Sequence, residues 1–219
     1  MYARATYWDA VYQRHGPTYG DEDGQGFWAR QWLSVLERSG SRKVLDLGCG
    51  AGADCLTLAQ HGLEVVGMDY SHEAITQAQA QSQDLALPVH FLQADMANLL
   101  PFLDQDFDAV MSNVAFHSFP DRLLRSILGE IRRILRQDGL VLLHVNSLED
   151  MRYRPKDRAQ EIEPDYYLES DGQTMHFFSD AYCRDLFGLW NLIDLTHQHY
   201  PRRGRWVDKC VWRVVAQKV

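Results

Sequence analysis

The stretch Val44-Leu45-Asp46-Leu47-Gly48-Cys49-Gly50-Ala51-Gly52-Ala53-Asp54 spaces three glycines by single residues directly after an apolar run. At a strand-to-helix turn such glycines permit a tight bend and let a ligand approach the backbone, while the open N–H groups of the helix start favour an anionic group. Gly48, Gly50 and Ala53 also satisfy the dinucleotide pattern GxGxx(G/A), so the loop alone suits two cofactor classes or a bare turn. Three acidic residues shift that balance. Asp46 lies two residues before Gly48, where a buried carboxylate is costly without a donor. An ammonium or ribose hydroxyls would supply one, whereas a pyrophosphate would be repelled. Asp69 follows Gly48 by 21 residues, at the end of the next apolar run, where a carboxylate can accept both hydrogens of a ribose diol. Asp95, inside Gln93-Ala94-Asp95-Met96, ends the third run and could accept from an adenine amino group. Any one of them could be a helix N-cap or a solvated strand end. Together, at successive strand ends, they suit a cationic, adenosine-containing ligand better than an anionic dinucleotide.

The elements that must position these groups are legible as patterns. KVLDLG (43–48), EVVGMDY (64–70), VHFLQAD (89–95), FDAVMSN (107–113) and LVLLHVN (140–146) read as strands buried on both faces, because they are continuously apolar rather than alternating. Between the last two, Leu124, Ile127, Leu128, Ile131 and Leu135 form one helical stripe, with Asp121 as the expected N-cap and Gly139 as the expected stop. Strand and helix in alternation predict a doubly wound α/β fold around a parallel sheet. Asn191–Tyr200 and Lys209–Lys218, joined through Pro201-Arg202-Arg203-Gly204-Arg205, predict an antiparallel hairpin at one sheet edge. Residues 1–42 are rich in aromatics (Tyr2, Tyr7, Trp8, Tyr12, Tyr19, Phe27, Trp28, Trp32), with a polar loop over 17–26 and a helix expected over 25–38. Residues 147–178 show few periodic positions and read as an insertion over the sheet, followed by a helix over 179–190. The expected organisation is one domain over 1–219, with 1–42 as an N-terminal cap and 147–178 as the insertion.

Composition excludes several classes. Of 219 residues, 22 are Lys or Arg and 30 Asp or Glu, a net charge of −8, which disfavours broad binding to phosphate backbones. No run approaches the roughly 20 apolar residues of a membrane span, and the N-terminus lacks a secretory apolar stretch. Cys49, Cys55, Cys183 and Cys210 form no CxxC pair, so reduced thiols in a cytoplasmic protein are expected.

The succession VLDLGCGAG, VVGMDYS, FLQADM, FDAVMSNVAFH and ILRQDGLVLLHV resembles the class I S-adenosylmethionine-dependent methyltransferases over roughly residues 40–147. The final KCVWRVVAQKV resembles their antiparallel seventh strand, so the resemblance implies a seven-stranded, mostly parallel, Rossmann-like methyltransferase sheet. It implies S-adenosyl-L-methionine as cofactor and S-adenosyl-L-homocysteine as product. It places Gly48, Cys49, Gly50 and Gly52 under the methionine part with Asp46 turned toward it, and Asp69 on the ribose hydroxyls. Tyr70 would lie against the adenine face, Asp95 at the adenine amino group, Met96 beside the ring and Asn113 near the methionine amine. Among subgroups, DLGCGAGADCLTLAQHGLEVVGMDYS looks most like small-molecule and tellurite-resistance-type methyltransferases. Ser112-Asn113-Val114-Ala115 departs from the (D/N)PP(Y/F) of base methylation, and the cysteines depart from an arsenite-methylating trio.

Methyl transfer from a sulfonium is an in-line displacement in which the protein holds nucleophile and methyl in line and excludes water. A hydroxyl or protonated amine needs a base, and His117, four residues beyond Asn113, is the candidate, with a plain surface histidine as the alternative. Tyr7, Trp8 and Tyr12 could form a lid or pack on the sheet edge, and Tyr153, Arg154, Tyr166 and His176 could shape an acceptor pocket. His197 and His199 share a strand face without a third metal ligand at recognisable spacing, so no metal is expected. Arg122, Arg125, Arg132 and Arg136 read as a solvated helix face, while Arg202, Arg203 and Arg205 could attract an anion or simply furnish a turn. The expected partner is a small-molecule acceptor, with neither nucleic acid nor membrane. Two other readings stay open: a nicotinamide-dependent oxidoreductase, against which Asp46, Asp95 and the absence of a Tyr-x-x-x-Lys pair count, and a non-enzymatic cofactor-binding module.

Overall fold

The computed structural model describes residues 5–17, 26–150, 159–201 and 209–219; Tyr2, Tyr19, Tyr153, Arg154, Arg202, Arg203, Gly204 and Arg205 lie outside these. Two helices come first, α1 (Ala5–His15) and α2 (Phe27–Ser39). The alternation follows: β1 (Lys43–Leu47), α3 (Ala53–Gln60), β2 (Glu64–Asp69), α4 (His72–Asp84), β3 (His90–Gln93), β4 (Phe107–Asn113), α5 (Asp121–Ile134) and β5 (Leu135–Asn146). Three short strands, β6 (Gln160–Glu163), β7 (Tyr166–Leu168) and β8 (Thr174–His176), precede α6 (Asp180–Leu186), β9 (Asn191–Tyr200) and β10 (Lys209–Gln217).

The main sheet runs β3-β2-β1-β4-β5-β10-β9. Strands β1 to β5 pair in parallel, and β10 runs antiparallel to both β5 and β9. The hairpin therefore sits at the expected edge, with β10 inside and β9 outermost. Because successive side chains face opposite ways, each central strand feeds two cores. On one face Leu45, Leu47, Val110, Val141, Leu143 and Val145 meet the α5 stripe of Leu124, Ile127, Leu128, Ile131 and Ile134. On the other, Val44, Ala109, Met111, Leu140 and Leu142 meet Ala29, Trp32 and Leu36 of α2 and Cys55 and Leu58 of α3. The alternation continues on β5 with His144 and Asn146 on the α2 face, both fully buried.

Several expected boundaries move. Asp121 is the first residue of α5 and not its N-cap, the cap position being held by Pro120. The Asp121 carboxylate instead accepts from Arg125 Nε and Tyr182 Oη. Gly139 is not the helix stop either. Pairing of Leu135 with Phe107 draws the chain into β5 straight after Ile134, with a register shift before Leu140 meets Ala109. Helix α6 ends at Leu186, short of Trp190, and Ser179 caps it by accepting from Tyr182 N at 3.1 Å. The insertion holds an antiparallel three-stranded sheet, β6-β7-β8, whose strands of three or four residues are too short to show a period. It docks on the 3-10 turn Phe116–Ser118: Tyr166 Oη and Thr174 Oγ1 donate to Ser118 O at 3.1 and 2.8 Å, and His176 Nδ1 lies 3.0 Å from Phe119 O. Among the described residues no helix is long and apolar enough to cross a membrane.

Candidate functional site

The glycine loop turns at the carboxyl end of β1, with Gly48, Gly50 and Gly52 all at positive φ and each crowded by a neighbour. Gly48 (φ 77°) has no room for a side chain, since a Cβ there would lie 2.6 Å from Ala115 Cβ and 3.3 Å from Met96 Cε. At Gly50 (φ 54°) a Cβ would lie 2.2 Å from the Tyr12 hydroxyl, so α1 places that hydroxyl directly over the loop. Asp9 fixes α1 there: its Oδ1 accepts from Ser71 Oγ at 2.7 Å and from Glu73 N at 3.2 Å, at the N-terminus of α4. Tyr12 is buried with Ala51 and Ala74, with Trp8 packed beside them and Tyr7 edge-on to Trp8. The N-terminal aromatics thus sit over the glycine loop.

Asp46, Asp54 and Asp69 gather beneath that loop, and the donors described for Asp46 and Asp69 are neutral. Asp46 lies within β1 and takes the Cys55 thiol at 3.3 Å. Burial, and then the negative charge of Asp54 with a smaller contribution from Asp69, push its pKa well above the usual carboxylate range against that thiol bond. Asp69, the last residue of β2, accepts from Gly50 N at 3.0 Å and Ser71 N at 2.9 Å. Burial still outweighs those bonds and raises it to about 6. Burial also lifts the Cys49 thiol to about 11, and Cys55 upward too, so neither is a ready nucleophile. Asp95 lies two residues beyond β3, where its Oδ1 accepts from Ala97 N at 2.9 Å, and Met96 is buried against Gly48. Tyr70 follows β2 directly.

A second network, which the sequence reading missed, ties this loop to α2. Asp54, in the first turn of α3, accepts from Ala29 N at 2.8 Å and from Asn113 Nδ2 at 2.7 Å. Asn113 Oδ1 accepts from Trp32 Nε1 at 3.0 Å and lies 2.9 Å from His144 Nδ1. With Trp32 donating to that oxygen, the His144 proton belongs on Nδ1. Burial, with Arg213 nearby, lowers His144 to about 3 and keeps the ring neutral. The side chain of Asn113 is thus a structural hub, while its backbone ends β4. The signal for this network was modest: His144, a polar residue directly after the apolar run 140–143.

Beyond Asn113 the backbone is strained. Val114 has φ 55°, a left-handed conformation rare for a β-branched residue, and its N–H donates to His144 O at 2.9 Å. His117 follows on the 3-10 turn and is buried, so the surface alternative is set aside. Burial first, then Lys209 and His176, lower it to about 3, while a hydrogen bond to the Val114 backbone works the other way. Burial lowers His176 as well. Nearby, Lys209 Nζ bonds Asp150 Oδ2 at 2.7 Å and Asn146 Oδ1 at 2.6 Å, with Asp150 and Asn146 fully buried. None of Asp150, Asn146 and Lys209 was singled out by the sequence reading.

Other sequence candidates have plain roles. His197 Nε2 lies 2.9 Å from Ser147 Oγ and 3.5 Å from Glu149. Among the described residues no group of three or more side chains could hold a metal ion. Arg125 pairs with Asp121 and Asp185, Arg132 donates to Leu189 O and Val219 O, and Arg136 pairs with Asp108.

A methyltransferase-domain family profile matches residues 44–139, the segment holding the glycine loop, Asp69, Asp95 and His117. Residues 44–139 therefore match a methyltransferase domain. An uncharacterized methyltransferase of Synechocystis sp. is 36% identical over 111 residues, covering 51% of this chain and 50% of its own. The demethylmenaquinone methyltransferase of Thermus thermophilus is 34% identical over 118 residues, covering 53% and 52%. The chain thus spans about half the length of these curated relatives. Among solved structures, a Pyrococcus horikoshii protein superposes with TM-score 0.71 at 24% identity, over 95% of this chain and 99% of that one. A Burkholderia thailandensis didemethyltoxoflavin methyltransferase, crystallised with its substrate and S-adenosylhomocysteine, superposes with TM-score 0.72 at 20% identity, over 98% and 87%. These likenesses give the methyltransferase domain its Rossmann-like fold: seven strands, mostly parallel, with an antiparallel strand late in the chain.

Proposed function

We propose that the protein transfers a methyl group from S-adenosyl-L-methionine to a small-molecule acceptor, acting as one catalytic unit in the cytoplasm. In this unit residues 1–42 form the cap and 147–178 the insertion that shapes the acceptor side. One observation carries the reading. Asp46 and Asp69 are buried at the carboxyl edge of the sheet, met by neutral donors and raised toward protonation, beside glycines held at positive φ, of which Gly48 is closed in by Ala115 Cβ. A ligand bringing a cation and hydroxyls would satisfy them; a pyrophosphate would add to the repulsion.

In this assignment Gly48, Cys49, Gly50 and Gly52 carry the methionine part with Asp46 and the Asn113 backbone near its amine. Asp69 takes the ribose diol, while Tyr70, Asp95 and Met96 hold the adenine. When bound, the sulfonium supplies an electrophilic methyl and a neutral thioether leaving group. The chain orients acceptor and cofactor and excludes water, with Tyr12 closing the loop from above. His117, neutral at ordinary pH, is the candidate proton acceptor. A base this weak takes a proton only once the attacking atom has become cationic and its proton acidic.

Calorimetric titration with S-adenosylmethionine and S-adenosylhomocysteine, alongside NADH and NADPH, tests the cofactor. Micromolar binding of the adenosyl pair alone is expected, and binding of a nicotinamide cofactor instead would overturn the assignment. His117→Ala should leave that affinity intact and lower turnover about 10²-fold. Because its pKa is held near 3, wild-type turnover between about pH 6 and 9 should show no histidine inflection.

A further inference from the structure

Asn146 is fully buried near the carboxyl end of β5, and Lys209 Nζ donates to its Oδ1 at 2.6 Å, which fixes which way the amide faces. Its Nδ2 meets no acceptor among the described residues. A buried amide N–H left unsatisfied is costly and uncommon, so its presence asks for an acceptor atom brought from outside. Strand alternation puts Asn146 on the α2 face with His144, one step beyond the Asn113–His144 pair that ends β4.

That face is walled by aromatic rings. Trp28, half-buried, lies 4.6 Å from the His144 ring and 5.4 Å from that of Tyr200. Phe27 lies 5.3 Å from Tyr200, and Tyr200 is the cross-strand partner of Lys209. Among the described residues the cations here are paired, Lys209 with Asp150 and Arg213 with Asp194, so neither offers an unmatched charge to a ligand. We propose that this face holds the methyl acceptor, and that the acceptor is a planar, uncharged ring bearing a carbonyl-type oxygen. Asn146 Nδ2 donates to that oxygen, and Trp28 and Tyr200 pack against the ring. The inference rests on the methyl-transfer reading, since it is the acceptor of that reaction that fills the site.

The test is calorimetry on the full chain saturated with S-adenosylhomocysteine, using quinolone and naphthoquinone as probes. Naphthalene (planar, no carbonyl) and cyclohexanone (carbonyl, not planar) are the controls. At least one planar carbonyl probe should bind about tenfold tighter than either control. Asn146→Asp keeps an oxygen for Lys209 but replaces the donor by an acceptor. It should weaken the planar carbonyl probes about threefold to tenfold while S-adenosylhomocysteine affinity stays within about twofold. Trp28→Leu should erase the preference for planar over non-planar probes, and it carries the test if Asn146→Asp does not fold. Equal binding of probes and controls overturns the proposal, as does unchanged probe affinity in folded Asn146→Asp. Failure of wild-type protein to bind S-adenosylhomocysteine would sink the cofactor reading instead; the probes are then titrated into the protein alone, where the same comparison of probes and variants decides.

Discussion

The two ends of the sheet's carboxyl edge treat buried charge in opposite ways. Under the glycine loop Asp46, Asp54 and Asp69 crowd together, and the described hydrogen bonds to them come from a thiol, an amide and backbone N–H groups. Across β4 and β5, Asp150 is matched by Lys209, and Asp194 by Arg213. The first end holds buried carboxylates that a cationic ligand would relieve, whereas at the second the described charges are paired, as the proposed uncharged acceptor requires. Instability is thus concentrated where the ligand is to carry charge, which is how a binding site and a stabilising core differ in one sheet.

The largest way to break that contrast is Lys209→Met. Removing the cation strands a fully buried Asp150, and the protein should lose about 3–5 kcal/mol in urea denaturation. A loss under about 1 kcal/mol would show that the acceptor side is not electrostatically closed. At the other end, Asp69 has a folded pKa of about 6 against an ordinary 3.8. Since the folded state holds this proton more tightly, its contribution is fully present below about pH 4 and is lost as pH rises through about 6. The stability difference between wild type and Asp69→Asn should therefore shift against wild type by about 3 kcal/mol between about pH 4 and 7. A difference flat with pH would remove Asp69 from the stored-charge side of the comparison.

Asp69→Ala should weaken S-adenosylmethionine by about 1.5–3 kcal/mol, read by calorimetry, and an unchanged dissociation constant would end the ribose assignment. The smallest expected effect sharpens the comparison rather than testing it. Tyr12→Phe removes only the hydroxyl over Gly50 and should cost about 0.5–1.5 kcal/mol in cofactor affinity with folding stability nearly unchanged.

The same contrast governs what could be read beforehand. The proposed cofactor end is assembled from short consecutive segments, so its glycine spacing and the carboxylates near its strand ends stand out in the sequence. The five parallel strands, the α5 stripe and the terminal hairpin were legible for the same reason, because periodicity is local. The proposed acceptor side, and the network that ties α2 to the glycine loop, depend on partners distant in the chain: Lys209 meets Asn146 across 63 residues, and Trp32 meets Asn113 across 81. No local pattern forecasts such pairs. Gly139 failed as a helix stop because a tertiary pairing, Leu135 with Phe107, decided where the helix ends. The position of His117 after β4 was legible, but its burial was not, because it comes with the insertion docking on Phe116–Phe119.

The placement of β10 inside β9 has a consequence for biosynthesis. A ribosome releases β9 before β10, yet β9 borders the sheet only through β10. Until the later strand emerges, β5 keeps a bare hydrogen-bonding edge, and the Asp150 carboxylate waits without its lysine. Completion of the sheet therefore waits for β10. In that interval nascent protein should be most open to chaperones and to strand-mediated aggregation.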